Sequence, residues 1–152
     1  MTTGSITWHV TKFGLPENAD GIITARVWLT LNGVDYPRAL WWDLPISVVS
    51  AAVTAYTEIA NGENEAFSFF FEGSYYLYYR RTEADEPTVY IEANCDSDEN
   101  NPVSIAVGEV PMEQLRTALV QVAHETLAAI CDKPFTEKEV AIMNEILEAL
   151  NA

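Results

Sequence analysis

Residues 5–13 alternate between apolar and polar positions, with Ile6, Trp8 and Val10 on one side and Thr7, His9 and Thr11 on the other. A period of two turns one face to a core and the other to solvent, which predicts a half-buried strand. Leu15 to Gly21 gathers Pro, Asn, Asp and Gly, the residues of a turn. The alternation resumes over 22–31, where Ile23, Ala25, Val27, Leu29 and Leu31 share a face. Asn32-Gly33 then predicts a two-residue hairpin turn, because both of its positions need positive φ. The return strand over 34–42 contains Pro37, which cannot donate to a ladder and points to a sheet edge.

The period lengthens over 45–60. Pro45 suits a first helical position, Ile46, Val49, Val53, Tyr56 and Ile59 recur at helical spacing, and Asn61-Gly62 closes the helix. Phe67, Phe69 and Phe71 next alternate with Ser68, Phe70 and Glu72, and Gly73-Ser74 predicts a two-residue turn into a strand over 75–81. That turn sets Phe71 against Tyr76 and Phe69 against Tyr78, so Phe67, Phe69, Phe71, Tyr76 and Tyr78 are expected to face the core. The opposite face would carry Ser68, Phe70, Glu72, Tyr75, Leu77 and Tyr79. An acidic turn over 83–87 leads to a strand with Val89, Ile91, Ala93 and Cys95 inward and Tyr90 and Glu92 outward. A second acidic turn, 96–102, precedes a last strand with Val103, Ile105 and Val107.

From 111 to 130, Leu115, Leu119, Val122 and Ile130 read as an amphipathic helix. Thr136 to Glu139 matches a capping box, with Phe135 placed to staple onto Val140, ahead of a helix through Val140, Met143, Ile146, Leu147 and Leu150. The order βββ-α-ββββ-αα predicts an α+β fold: a mainly antiparallel sheet of six to seven strands, with three helices on one face. No repeat or linker divides the chain, so residues 1–152 are expected to form a single domain.

Composition narrows the function. A hydrophobic content of 49% excludes a disordered chain, and 23 Asp+Glu against 8 Lys+Arg give a net charge of −15. Binding to nucleic-acid phosphates or to an anionic membrane requires clustered Lys and Arg, so no direct nucleic acid and no membrane are expected as partners. Met1 to His9 lacks a basic segment followed by an apolar run, and Cys95 and Cys131 cannot make a disulfide framework. Together these predict a cytoplasmic protein with reduced thiols.

Catalytic signatures are missing. The chain has no phosphate-binding loop, dinucleotide fingerprint or nucleophile elbow. His124-Glu125 begins a zinc-protease pattern, but position 128 is Ala. Asp96-Ser97-Asp98-Glu99-Asn100 imitates the start of a calcium loop, yet Asn101 and Val107 stand where Gly and a bidentate Glu are needed. His9, His124 and Cys95 lie on different elements. The expectation is a protein that is not an enzyme, with no catalytic residue, no cofactor and no metal.

The acids are unevenly placed. Residues 82–115 hold nine (Glu83, Asp85, Glu86, Glu92, Asp96, Asp98, Glu99, Glu109 and Glu113) with no Lys or Arg, and 39–79 hold five, again without a basic residue. Carboxylates steer basic partners, while Tyr anchors interfaces at low entropic cost. The candidate partner-binding set is therefore Glu72, Tyr75, Tyr79, Glu83, Asp85, Glu86, Tyr90, Glu92, Asp96, Asp98 and Glu99.

In size, acidity and element order the chain resembles bacterial polymorphic-toxin immunity proteins. That resemblance implies an antitoxin that inhibits a positively charged toxin domain, often a nuclease, by covering its active site or an exosite. The competing expectations are a nucleic-acid mimic that blocks a nucleic-acid-binding protein, a type III secretion chaperone, and a small enzyme or ligand-binding domain with a pocket between sheet and helices.

Overall fold

The structure, a computed structural model, describes residues 4–82, 86–98 and 100–151. Its elements follow the predicted order: β1 (Ile6–Gly14), β2 (Thr24–Leu31), β3 (Val34–Tyr36), β4 (Trp42–Asp43), α1 (Pro45–Ala60), β5 (Glu65–Phe69), β6 (Tyr75–Thr82), β7 (Thr88–Cys95), β8 (Val103–Pro111), α2 (Met112–Ile130) and α3 (Glu137–Ala149). The fold is α+β with three helices, and its strands are all antiparallel. They form two sheets of four strands rather than one of six to seven. In the first, β1, β2 and β3 are neighbours and β4 also pairs with β2; in the second the order is β5-β6-β7-β8.

The predicted third strand is broken after Tyr36, where Pro37 interrupts the ladder, and pairing with β2 resumes only at Trp42. Asn32 and Gly33 take φ of 50° and 80°, the hairpin turn expected of that dipeptide. Pro45 opens α1 at its first turn, and α1 ends at Asn61. The capping box does not form. Thr136 is buried, and its hydroxyl donates back to the carbonyls of Ile130 and Lys133, so it closes the α2–α3 connection instead of capping α3.

The two sheets meet along a seam. Gly4 N–H donates to the Glu109 carbonyl of β8 at 2.7 Å, and the Asn32 side-chain amide donates to the Val107 carbonyl at 2.9 Å. Gly108 makes room for this approach, since a Cβ there would lie 2.9 Å from both the Asn32 amide and a Leu31 methyl. Inside, Trp8 stacks on Phe70 at 6.1 Å, and Tyr36 meets Phe70 and Tyr75 edge-on at 5.6 and 5.7 Å. Tyr36 is fully buried, and its hydroxyl lies 2.5 Å from the Asn94 carbonyl and 3.0 Å from that of Tyr76, which ties β3 to the backbone of β6 and β7.

Asp43 makes the matching polar tie. Its buried carboxylate accepts from Trp41 Nε1 (3.0 Å), Leu44 N–H (2.7 Å) and Glu72 N–H (3.1 Å), so β4 holds the β5–β6 loop. Helix α1 lies beneath β5 and against β2, while α2 lies against β1 and β8. The buried apolar side chains of both sheets and all three helices form one cluster.

Burial raises the pKa of the Tyr36 and Tyr79 hydroxyls well above the ordinary tyrosine range, with desolvation the leading cause for each. An unfolded tyrosine ionises near pH ~10, so stability is intact below that pH and falls as pH climbs toward the folded-state values. Each buried tyrosine contributes a slope of about 1.4 kcal/mol per pH unit in that window. Urea unfolding from pH 8 to pH 11 is expected to show Tyr79→Phe and the parent losing stability alike below pH ~10 and the variant losing less steeply, by about that amount, above it. Equal slopes would mean that the Tyr79 hydroxyl is solvated.

Candidate functional site

The sequence pattern inverts at the β5–β6 hairpin. Phe67, Phe69 and Phe71, expected in the core, are 49%, 62% and 65% exposed, whereas Phe70, Leu77 and Tyr79 are buried. The register also differs by two residues: Phe69 faces Tyr76, Phe67 faces Tyr78 and Glu65 faces Arg80, with residues 70–74 forming a longer loop in place of the two-residue turn. The physical cause lies beneath the strand. Helix α1 packs under β5, where only the small Ala66 and Ser68 point inward, and the bulky rings are left on the far side.

The outward side of the second sheet is continuous. Glu65, Phe67 and Phe69 on β5 stand beside Tyr76, Tyr78 and Arg80 on β6, then Tyr90 and Glu92 on β7, then Val107 and Glu109 on β8. Phe67 lies 5.2 Å from Tyr78, and Phe69 lies 5.8 Å from Tyr76, ring centroid to centroid. Val107, opposite Glu92, is 46% exposed at the β8 side. Polar groups within this surface are already oriented. The Tyr78 hydroxyl donates to Glu65 at 3.0 Å, the Tyr90 hydroxyl donates to Glu92 at 2.8 Å, and the Arg80 guanidinium lies 4.7 Å over the Tyr90 ring. Partial desolvation, then the neighbouring carboxylate, pushes the Tyr78 and Tyr90 hydroxyls upward in pKa, so both stay neutral donors.

The sequence-predicted set is divided by the structure. Tyr90 and Glu92 lie on the outward face as expected. Tyr79 does not: it is 1% exposed, bonded to Ser68 at 2.7 Å, and belongs to the core. Tyr75 is half-buried, with its ring against Tyr36 and Trp41, so it joins the sheets together. Glu72, Asp96 and Asp98 gather at one end of the second sheet, where Asp96 N–H donates to the Ser74 carbonyl, and Glu86 is exposed at the other end. Glu83, Asp85 and Glu99 lie outside the described residues.

Phe67, Phe69, Tyr76 and Tyr78 were missed as surface residues. Glu65 shares a side with Phe67 and Phe69, but Arg80 and Arg81 end β6 on opposite sides and Glu72 shares its parity with Phe70, so charge in the sequence does not choose the face.

Other chemistry-bearing groups are dispersed. His9 Nε2 pairs with the Thr30 hydroxyl at 2.8 Å, and its ring stacks on Trp28, on the outward side of the first sheet. Among the described residues no group of three or more His, Cys, Asp or Glu is placed to hold a metal ion, and no helix is long and apolar enough to cross a membrane. A cleft of about 470 Å³ lies between α1 and the β6–β7 end of the sheet, lined in part by Tyr56, Thr82, Thr88 and Met112. Arg81, the charged side chain among the described lining residues, donates to the Ile59 carbonyl at the end of α1. Comparison with protein-family models, curated proteins and solved structures finds no match.

Substitution separates the two faces of this hairpin. Phe69→Ser is expected to change unfolding free energy by no more than about 0.5 kcal/mol. Phe70→Ala, in contact with Trp8 and Tyr36, is expected to cost about 3–5 kcal/mol. Chemical denaturation of the two variants reads both values, and a larger loss for Phe69→Ser would place that ring inside.

Proposed function

We propose that this chain binds and inhibits a basic protein through the outward face of β5–β8, in the manner of an immunity protein that neutralises a cationic toxin domain. The observation that carries the reading is the uncovered aromatic surface, with Phe67 and Phe69 exposed beside Tyr76 and Tyr78. Contiguous exposed apolar surface rimmed by polar groups marks interaction sites on soluble domains. The rim here is acidic: Glu65, Glu92 and Glu109 stand on the face with Arg80 as the one cation among them.

Magnitudes assign the two groups different roles. Full burial yields about 1.5–3 kcal/mol for each aromatic side chain, but Phe67 and Phe69 are 49% and 62% exposed and Tyr76 and Tyr78 are already half-buried, so covering all four yields at most about 3–6 kcal/mol gross. Association costs roughly 4–15 kcal/mol in lost motion, so the rings alone hold a partner weakly or not at all. Charge then selects the partner and speeds the encounter. Glu72, Asp96 and Asp98 at one end of the sheet and Glu86 at the other extend the negative potential beyond the aromatic centre, within a chain of net charge −15. A nucleic-acid mimic would act through the same surface on a nucleic-acid-binding protein, and it differs only in the partner's identity.

The test is association with the product of the adjacent reading frame, expected to be small and basic. Surface plasmon resonance should show one-to-one binding with an on-rate that falls roughly tenfold or more between low and high salt. The double variant Phe69→Ser, Tyr78→Ser should weaken binding by about a hundredfold or more, as loss of two central anchors does. An adjacent product that is acidic or does not bind, or binding indifferent to these substitutions, would contradict the proposal.

A further inference from the structure

The second sheet has two outer strands, and they are treated differently. Along β8 the edge is occupied, because Gly4 N–H and the Asn32 side-chain amide donate to the carbonyls of Glu109 and Val107. Along β5, no strand among the described residues lies beside the edge. Phe70 N–H donates to the Tyr75 carbonyl at 3.1 Å, and Arg81 N–H donates to the Asn64 carbonyl at 2.8 Å. Those two pairs fix the phase of the ladder. In an antiparallel pair, hydrogen-bonded and non-hydrogen-bonded positions alternate. Residues 64, 66, 68 and 70 therefore spend their backbone groups on β6. Glu65, Phe67 and Phe69 direct their N–H and C=O groups away from the sheet.

We infer that β5 is a docking edge, which takes up an extended, positively charged segment of the protein partner as a fifth strand of the second sheet. The inference rests on the basic partner argued above and says how that partner is held. Natural proteins blunt exposed edges with Pro, Lys, bulges or covering loops. Residues 65–69 contain neither Pro nor Lys, and the pairing of β5 with β6 runs without a register shift. The three residues with free backbone groups are also the three whose side chains stand on the outward face. An added strand would therefore bond to Glu65, Phe67 and Phe69 while laying alternate side chains against the two phenylalanine rings.

Charge decides the occupant. Glu63, Glu65 and Glu72 bracket the edge, no Lys or Arg lies between residues 39 and 79, and the nearest cations, Arg80 opposite Glu65 and the adjacent Arg81, stand on β6 rather than on the edge itself. A second copy would bring another β5 with the same acids and another net charge of −15. A cationic segment with β-branched residues complements both the carboxylates and the rings.

The experiment uses the whole chain and a short synthetic peptide of alternating lysine and valine, with amide hydrogen exchange read by NMR. Peptide at about millimolar concentration is expected to slow exchange at Glu65, Phe67 and Phe69 by roughly tenfold, with Ala66 and Ser68 unchanged. The same peptide with alternate amides N-methylated should have no effect. Phe67→Pro removes an outward donor as well as the ring while sparing the ladder to β6, so it should abolish the protection, whereas Phe67→Ala, which removes the ring alone, should lower it only in part. Unaltered exchange at the three amides would overturn the inference. So would protection that appears without peptide and grows with protein concentration, since a second copy would then be the occupant. Loss of peptide pairing together with intact, face-dependent binding of the basic protein sinks the edge alone; peptide pairing without that binding sinks the proposed function alone.

Discussion

The fit of α1 beneath β5 sets the character of this molecule. A helix approaches a strand closely only where the intervening side chains are small, and Ala66 and Ser68 supply that space. With the inner positions of β5 so filled, Phe67 and Phe69 have only the solvent side left. The neighbouring strands inherit the same phase through their pairing, which carries Tyr76, Tyr78, Tyr90 and Val107 outward. One local packing constraint thus produces a broad aromatic surface on a chain otherwise rich in carboxylates.

A second consequence concerns the edges. Tyr36 and Asp43 bind the first sheet to the backbone of β6, β7 and the β5–β6 loop. The Asn32 turn and Gly4 meanwhile close over β8. These contacts seal one side of the second sheet and leave the other side open beside the exposed rings. Buried polar ties of this kind specify a single arrangement, because breaking one strands its partners in a medium that cannot solvate them. The junction therefore holds the outward face at a fixed orientation, and a rigid face loses less entropy on binding than a mobile one.

Most elements were legible in the sequence because hydrophobic period and turn chemistry are local properties. Asn32-Gly33, Pro45 and the helical spacing through α1, α2 and α3 led directly to the structure. What failed was non-local. The hairpin after α1 offers aromatics on both sides, so hydrophobicity alone cannot choose a face, and the helix that decides the matter is visible only in three dimensions. Charge does not decide it either, because Arg80 and Arg81 fall on opposite sides of the same strand. The break after Tyr36 and the division into two sheets likewise depend on how strands meet in space. Of the candidate site, Tyr90 and Glu92 were legible from the inward run Val89, Ile91 and Ala93; Tyr79 was not, because a Tyr hydroxyl satisfied by Ser68 is as much at home inside as out.

The proposed basic partner would seat on the aromatic side of the second sheet, framed by carboxylates. Ring-selective NMR of the chain, with and without that partner bound, tests this most directly. On binding, the ring signals of Phe67, Phe69, Tyr76 and Tyr78 are expected to shift together while those of Trp28 and His9, on the outward side of the first sheet, stay in place. Shifts confined to Trp28 and His9, with the four rings unmoved, would contradict it.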